Sequence, residues 1–283
     1  MRDLLVTVPH HSGAVPLEIL AEMLGDDVHD EAACAARRER LFREGDPHTD
    51  RLFLLPGARL VTATASRFVV DLNRHPDDRG PNGVVKLRDF GGESLYGGGA
   101  PPSEDDVAAR VRRFYEPFHA HVEHELRTRR PLALIDAHSM TPTGPDLGPD
   151  HGGVRPAASL ITGGGPDGEP TDGPVSLPGT AARALAAALE RALAARLPLG
   201  VDGAPEGVRI NDPFAVGEVQ RRYGAPDHPA GVPAVAIEIN RALFEDDAAR
   251  PLPKRIATIR EAIGAALRSV RGDLERARAT WPD

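Results

Sequence analysis

LALIDAHSMTP, residues 132–142, is the stretch whose reading decides the fold. Leu132, Ala133, Leu134 and Ile135 open it as a core strand. An acid, Asp136, and an imidazole, His138, then follow with only Ala137 between them. Side chains alternate across a strand, so Asp136 and His138 share one face of the sheet. A core strand that ends this way either closes in a polar cap held by its own loop, or presents a metal ligand or a base to a cleft. The rest of the chain decides between the two.

Working outward, short β-rich runs recur along the chain. LLVTV (4–8) leads into Pro9, His10, His11, Ser12 and Gly13; RLVTATAS (59–66), RFVVDLN (67–73), ASLITG (158–163) and VPAVAIEIN (232–240) also read as strands. Helical patterns separate them. One spans 16–24, opened by Pro16, and another 30–44. A third covers 101–130, with Ser103 as its N-cap, acids in its first turn and Pro117 expected to kink it or break it in two. Two more cover 179–197 and 252–279, with Gly264 and Gly272 as weak points in the last. Strands alternating with helices predict an α/β protein with a mixed or parallel sheet and helices on both faces. Nothing marks a domain boundary, so 1–283 is expected to be one domain. The segments 76–103 and 141–178 are too long for plain connections and are expected to wall an active site.

The chain has 283 residues, of which 41% are apolar and 27% charged, enough for a sizeable core. A net charge of −8 argues against non-specific binding to nucleic acid or an anionic membrane. It leaves room for a small anionic substrate, because a local group of arginines can oppose the global sign. Cys34 is the only cysteine, so a disulfide within the chain and a thiolate cluster are both ruled out. A metal would have to be held by His, Asp or Glu. The apolar start is only five residues before Pro9, and no run approaches the roughly 18 residues that span a bilayer. The expectation is a cytoplasmic protein.

Function in open α/β sheets gathers at the carboxyl ends of strands. Those ends carry His10 and His11, Asn73 and Arg74, Asp136 and His138, and Glu238, Asn240 and Arg241. Two histidines and one carboxylate with an open position form a common catalytic zinc set. The acid is to be sought in DPHTDRLF (46–53), which offers Asp46, His48 and Asp50. Glu238, at the end of a very apolar strand, suits a general base, since burial raises a carboxyl pKa. Arg74 and Arg241 can fork onto a substrate carboxylate, with Asn73 adding a hydrogen bond. Asp136 is read as orienting a histidine or as a structural hydrogen-bond acceptor. His121 and Glu125 are spaced i, i+4 in HAHVEHE (119–125) and read as a solvated helix face. GGESLYGGG (91–99) lacks the Lys-Ser/Thr of a phosphate loop.

Seven blocks occur in order: VPHHSGAVP, HTDRLF, VVDLNRHP, YEPFHAHV, DAHSM, NDPFAVGEVQRRYG and VAIEINRALFED. Together they resemble the signature of the N-formylglutamate amidohydrolase family, a relative of the zinc carboxypeptidases and aspartoacylases, from residue 6 to about 247. The resemblance implies a zinc-carboxypeptidase-like (phosphorylase/hydrolase-like) α/β fold with one zinc ion, although other divalent transition metals suit the same ligands. It implies His10, Asp50 and His138 as ligands, with His11 a rival for His10 because the family pattern has a single His there. It further implies Glu238 as the general base and Asn73–Arg74 as the grip on a substrate carboxylate. The reaction implied is cleavage of a small N-acyl amino acid by metal-activated water. The rival expectations are a carboxypeptidase-like peptidase, a deacylase for another acyl group, or a binding protein that kept the fold without the chemistry.

Overall fold

Six strands form one sheet in the computed structural model, which describes residues 1–97, 100–201 and 203–281. They are β1 (Leu4–Val8), β2 (Arg59–Thr62), β3 (Ala133–Met140), β4 (Ala158–Ile161), β5 (Val208–Ile210) and β6 (Ala234–Asn240), in the order β2-β1-β3-β6-β4-β5. The first four positions of that order run parallel; β4 runs antiparallel to β6, and β5 parallel to β4. The helices are α1 (Leu17–Leu24), α2 (Glu31–Glu44), α3 (Thr49–Leu52), α4 (Glu104–Arg110), α5 (Glu116–Arg129), α6 (Gly179–Ala194), α7 (Glu218–Tyr223), α8 (Pro253–Ser269) and α9 (Arg271–Arg278). No helix among the described residues is long and apolar enough to cross a membrane.

Alternation along the strands sorts the core. Leu4, Val6 and Val8 of β1, Ala133, Ile135 and Ala137 of β3, and Val235, Ile237 and Ile239 of β6 pack with α6, α8 and α9 on one face. Leu5, Leu134 and Ala234 point the other way, against Phe118, Val122 and Leu126 of α5 and Val219 and Tyr223 of α7. On this second face each central strand is apolar at its start and polar towards its carboxyl end: Thr7 in β1, Asp136 and His138 in β3, Glu238 in β6. The face thus seals a core at one edge and opens a site at the other. A third cluster packs α1 and α2 over Phe68, Val69 and Leu95.

Several elements differ from the sequence reading. RFVVDLN (67–73) is a run of turns, not a strand: Val69 and Val70 N–H groups both donate to the Ser66 carbonyl, and the neighbours Phe68 and Val69 enter the same cluster. The segment 101–130 is helical without a break from Glu104 to Arg129, and just before Pro117 it widens into a π-helical turn (Val111–Tyr115) that accommodates the missing proline donor. At its start Ser103 and Asp106 form a reciprocal capping box. The closing helix breaks at Val270, while Gly264 sits inside an unbroken α8. α3, β5 and α7 are additional. Residues 98 and 99 of the glycine-rich run lie outside the described residues.

Candidate metal centre and active-site cleft

Three segments meet at the carboxyl edge of the sheet. His10 follows β1 past Pro9, His138 projects from within β3, and Asp46 comes from the turn after α2. That turn is clipped to β1: the Asp46 N–H donates to the His10 carbonyl at 3.1 Å. A Cβ at Gly45 would stand 2.9 Å from that same oxygen, so only glycine allows so close an approach. One ligand atom from each of His10, Asp46 and His138 lies within 4.8 Å of the others, and all three residues are buried. Asp46 Oδ2 is 3.3 Å from His10 Nδ1 and 2.8 Å from His138 Nδ1.

The outer nitrogen of each ring is braced by a second carboxylate. His10 Nε2 is 2.8 Å from Asp71 Oδ1, and His138 Nε2 is 2.7 Å from Asp136 Oδ2. Asp136 is fixed in turn by Thr7 Oγ1 at 2.6 Å, Gln220 Nε2 at 2.9 Å and Asn73 Nδ2 at 3.1 Å. Asp71 accepts from Arg67 Nη2 and from the fully buried Lys86 Nζ, each at 2.9 Å. Fixing both rings through a carboxylate at the outer nitrogen orients the inner nitrogens towards one point, the arrangement that serves metal-binding imidazoles.

The charges follow from this packing. Burial pushes the Asp46 carboxyl up, but hydrogen bonds from His10 and His138, with Arg67 nearby, hold it well below the usual carboxylate range. Burial works against a charged His138, yet Asp136 and Asp46 hold its pKa well above that of a free imidazole. Burial lowers Lys86 to about 8 against the pull of Asp71. Glu238, beside His138 in the β3–β6 register, is pushed up to about 7, chiefly by burial and then by Asp46, with His138, Arg67 and Arg155 opposing.

Asp46, His138 and Glu238 line a cleft of about 750 Å³ whose walls include segments of 141–149 and 214–217. Asn73, Arg74, His138, Glu238 and Arg241 border it with His10 and Asp46. Asp50, the acid expected beside the two histidines, is not in the cluster; Asp46 stands there instead. His48 takes a left-handed backbone (φ 65°) and turns the chain into α3, so Asp46 faces the histidines and Asp50 rides on the helix beyond. His11 is not in the cluster either; its Nδ1 contacts the Val8 carbonyl at 3.3 Å. Asn73 is committed to structure, donating to Asp136 and accepting from the Val219 N–H at 2.9 Å. Arg241 is buried against Glu245 at 3.0 Å and donates to the Arg43 carbonyl. Arg74 donates to the Asn82 carbonyl at 3.2 Å. His121 lies 3.7 Å from Glu125, which Arg59 and Arg129 also hold, away from the cleft. Sequence reasoning missed Asp71, Arg67, Lys86, Gln220 and Arg155. Asp71 and Gln220 stood in quoted blocks and Arg67 opened a quoted run, with no signal of their contacts around His10 and His138.

Fold and cleft define the class first: an α/β protein with a His–Asp–His candidate metal centre at the carboxyl edge of a six-stranded mixed sheet. Among solved structures, the chain superposes on N-formylglutamate amidohydrolase from Ralstonia eutropha with a TM-score of 0.66 at 20% identity, over 95% of this chain and 93% of that one. A gene product of Agrobacterium tumefaciens superposes with a TM-score of 0.57 at 23% identity, over 95% and 92%. By sequence it is 30% identical over 245 residues to the N-formylglutamate deformylase of Pseudomonas aeruginosa, covering 82% of this chain and 81% of that protein. It is 28% identical over 252 residues to the N-formylglutamate deformylase of Pseudomonas putida, covering 84% of each. The chain belongs to the N-formylglutamate amidohydrolase family, whose model matches residues 2–245.

Proposed function

We propose that this protein hydrolyses the formyl amide of N-formyl-L-glutamate, releasing formate and glutamate, with a zinc ion held by His10, Asp46 and His138. The observation that carries the reading is the convergence of these three side chains, each imidazole braced from behind, within reach of Glu238. The family match and the names of the Pseudomonas relatives support the substrate. The donor set fits zinc: two imidazole nitrogens and one carboxylate oxygen, with the open side facing the cleft. When bound, such an ion lowers the pKa of a coordinated water towards 7 and polarises a carbonyl.

Glu238 takes the proton of the attacking water as the new C–O bond forms at the formyl carbon. It then returns that proton to the amide nitrogen as the C–N bond breaks. Its pKa near 7 suits both halves of that transfer, and a divalent charge beside it draws the value down from there. Asp71 and Asp136 keep both imidazoles in the tautomer and orientation that aim Nδ1 inward. Arg74, steadied by the Asn82 carbonyl, holds a substrate carboxylate and so fixes the distance from formyl group to centre. Arg241 contributes through its hold on Glu245 and the Arg43 carbonyl, which keeps that wall of the cleft in place.

Formate release from N-formyl-L-glutamate, with chelator and with zinc restored, tests the reading. Turnover that chelation abolishes and zinc restores is expected. Turnover indifferent to chelation refutes the metal, and no formate from any N-formyl amino acid refutes the reaction. The cleft exceeds the volume of so small a substrate, which favours as a second reading a deacylase for larger N-acyl amino acids. N-acetyl and longer N-acyl glutamates in the same assay separate the two.

A further inference from the structure

Six arginines line the cleft: Arg43, Arg67, Arg74, Arg155, Arg221 and Arg241. Four of them are already matched with a carboxylate of the chain. Arg43 pairs with Glu39 at 2.6 Å, Arg67 with Asp71 at 2.9 Å, Arg155 with Asp150 at 2.8 Å and Arg241 with Glu245 at 3.0 Å. Arg74 and Arg221 form no ion pair among the described residues. Two cations on one cleft without anions of their own match a ligand with two negative groups.

We propose that Arg221 is the specificity-determining residue for a second, side-chain carboxylate of the substrate, while Arg74 holds the first. The inference rests on the reading of the cleft as an N-formyl amino acid site and adds to it a requirement for a dicarboxylate. Arg221 stands on α7, and α7 is bolted to the centre. Gln220 donates to Asp136 at 2.9 Å, the Val219 N–H donates to Asn73 Oδ1 at 2.9 Å, and Val219 and Tyr223 are buried in the core. The same Asp136 and Asn73 lie against His138. A guanidinium on this mount therefore keeps a set distance from the candidate metal centre, as a reader of substrate length must. Its neighbour Arg222 is occupied elsewhere, over the Tyr223 ring and 4.0 Å from Glu123. Arg221 itself is exposed to the cleft, so it can fork onto an incoming carboxylate without first leaving an internal partner.

The test measures binding without turnover. Zinc-loaded Glu238→Gln protein is titrated calorimetrically with N-formyl-L-glutamate and with N-formyl-L-glutamine, which has the same shape and no side-chain charge. The expected preference for the glutamate compound is roughly 10- to 100-fold, the range for a hydrogen bond to a charged group. Adding Arg221→Met should abolish that preference by weakening the glutamate compound alone, and Arg221→Lys should restore part of it. Arg74→Met should weaken both compounds alike. A preference that survives Arg221→Met overturns the proposal and leaves the substrate reading intact. If the Glu238→Gln protein binds neither compound and the unsubstituted enzyme releases no formate from either, the substrate reading falls and the proposal with it.

Discussion

Asp46 and Asp50 are four positions apart but only Asp46 stands with His10 and His138, and replacing each with asparagine tests the proposed third ligand. Asparagine keeps the shape of the side chain and removes its charge. At position 46 the lost oxygen sits 3.3 and 2.8 Å from the inner nitrogens of His10 and His138. Loss of a residue that merely braces a metal ligand costs about 10- to 100-fold in affinity, or about 1.4–2.7 kcal/mol. A direct anionic ligand must cost more, so Asp46→Asn should weaken zinc binding by ~1000-fold or beyond, about 4 kcal/mol. Asp50 lies outside the cluster, so Asp50→Asn should leave zinc affinity within about twofold, since substitutions away from such features change little. Competition with a chromophoric chelator gives both affinities, and far-UV circular dichroism checks that each variant is folded. Zinc retained by Asp46→Asn, or lost by folded Asp50→Asn, would refute the assignment of the third ligand and the geometry behind it.

Glu238→Gln should bind zinc normally and lose roughly 10²- to 10⁴-fold in kcat for formate release, as removal of a general base does; undiminished turnover removes Glu238 from that role. Gly45→Ala should cost about 1–3 kcal/mol in urea unfolding and weaken zinc binding, because its Cβ would meet the His10 carbonyl oxygen at 2.9 Å and backbone must give way. His119 is buried between Tyr115 and Tyr223, and its Nε2 contacts the Leu72 carbonyl at 2.9 Å. Burial, with Arg222 adding, lowers its pKa from 6.5 to about 4. The unfolded chain then takes up this proton first, so stability is full above pH 6.5 and falls by about 3 kcal/mol as the pH drops to 4. Unfolding measured across that window should show the decline, and His119→Gln should flatten it; an unchanged slope in the variant rules out His119 as its source.

What the sequence made legible was what contradicts its local setting. Asp136, His138 and Glu238 are polar residues on strands otherwise built for a core, and period-two alternation alone puts them on shared faces. His10 stood out for the same reason, as an imidazole at a strand end. Choosing Asp46 over Asp50 needed the path of an irregular turn through Pro47 and the left-handed His48, where no period says which acid faces inward. RFVVDLN has the β-branched content of a strand, but pairing is decided by neighbours, and turns at Ser66 took this segment instead. Three-residue β5 is too short to carry a pattern. The Asp71–Lys86 pair joins two irregular segments whose meeting is purely tertiary.

The reversal of β4 has a consequence for how this cleft can vary. Because β4 runs against β6, its beginning lies at the carboxyl edge: the Asn240 N–H donates to the Ala157 carbonyl, and the Asn240 amide holds the Arg155 and Pro156 carbonyls. The connection that enters β4, not one that leaves it, therefore walls the site. Residues added or removed between Met140 and Arg155 would widen or narrow the chamber while the strand ladder behind it stayed in register. Substrate size and scaffold are separately adjustable in this architecture.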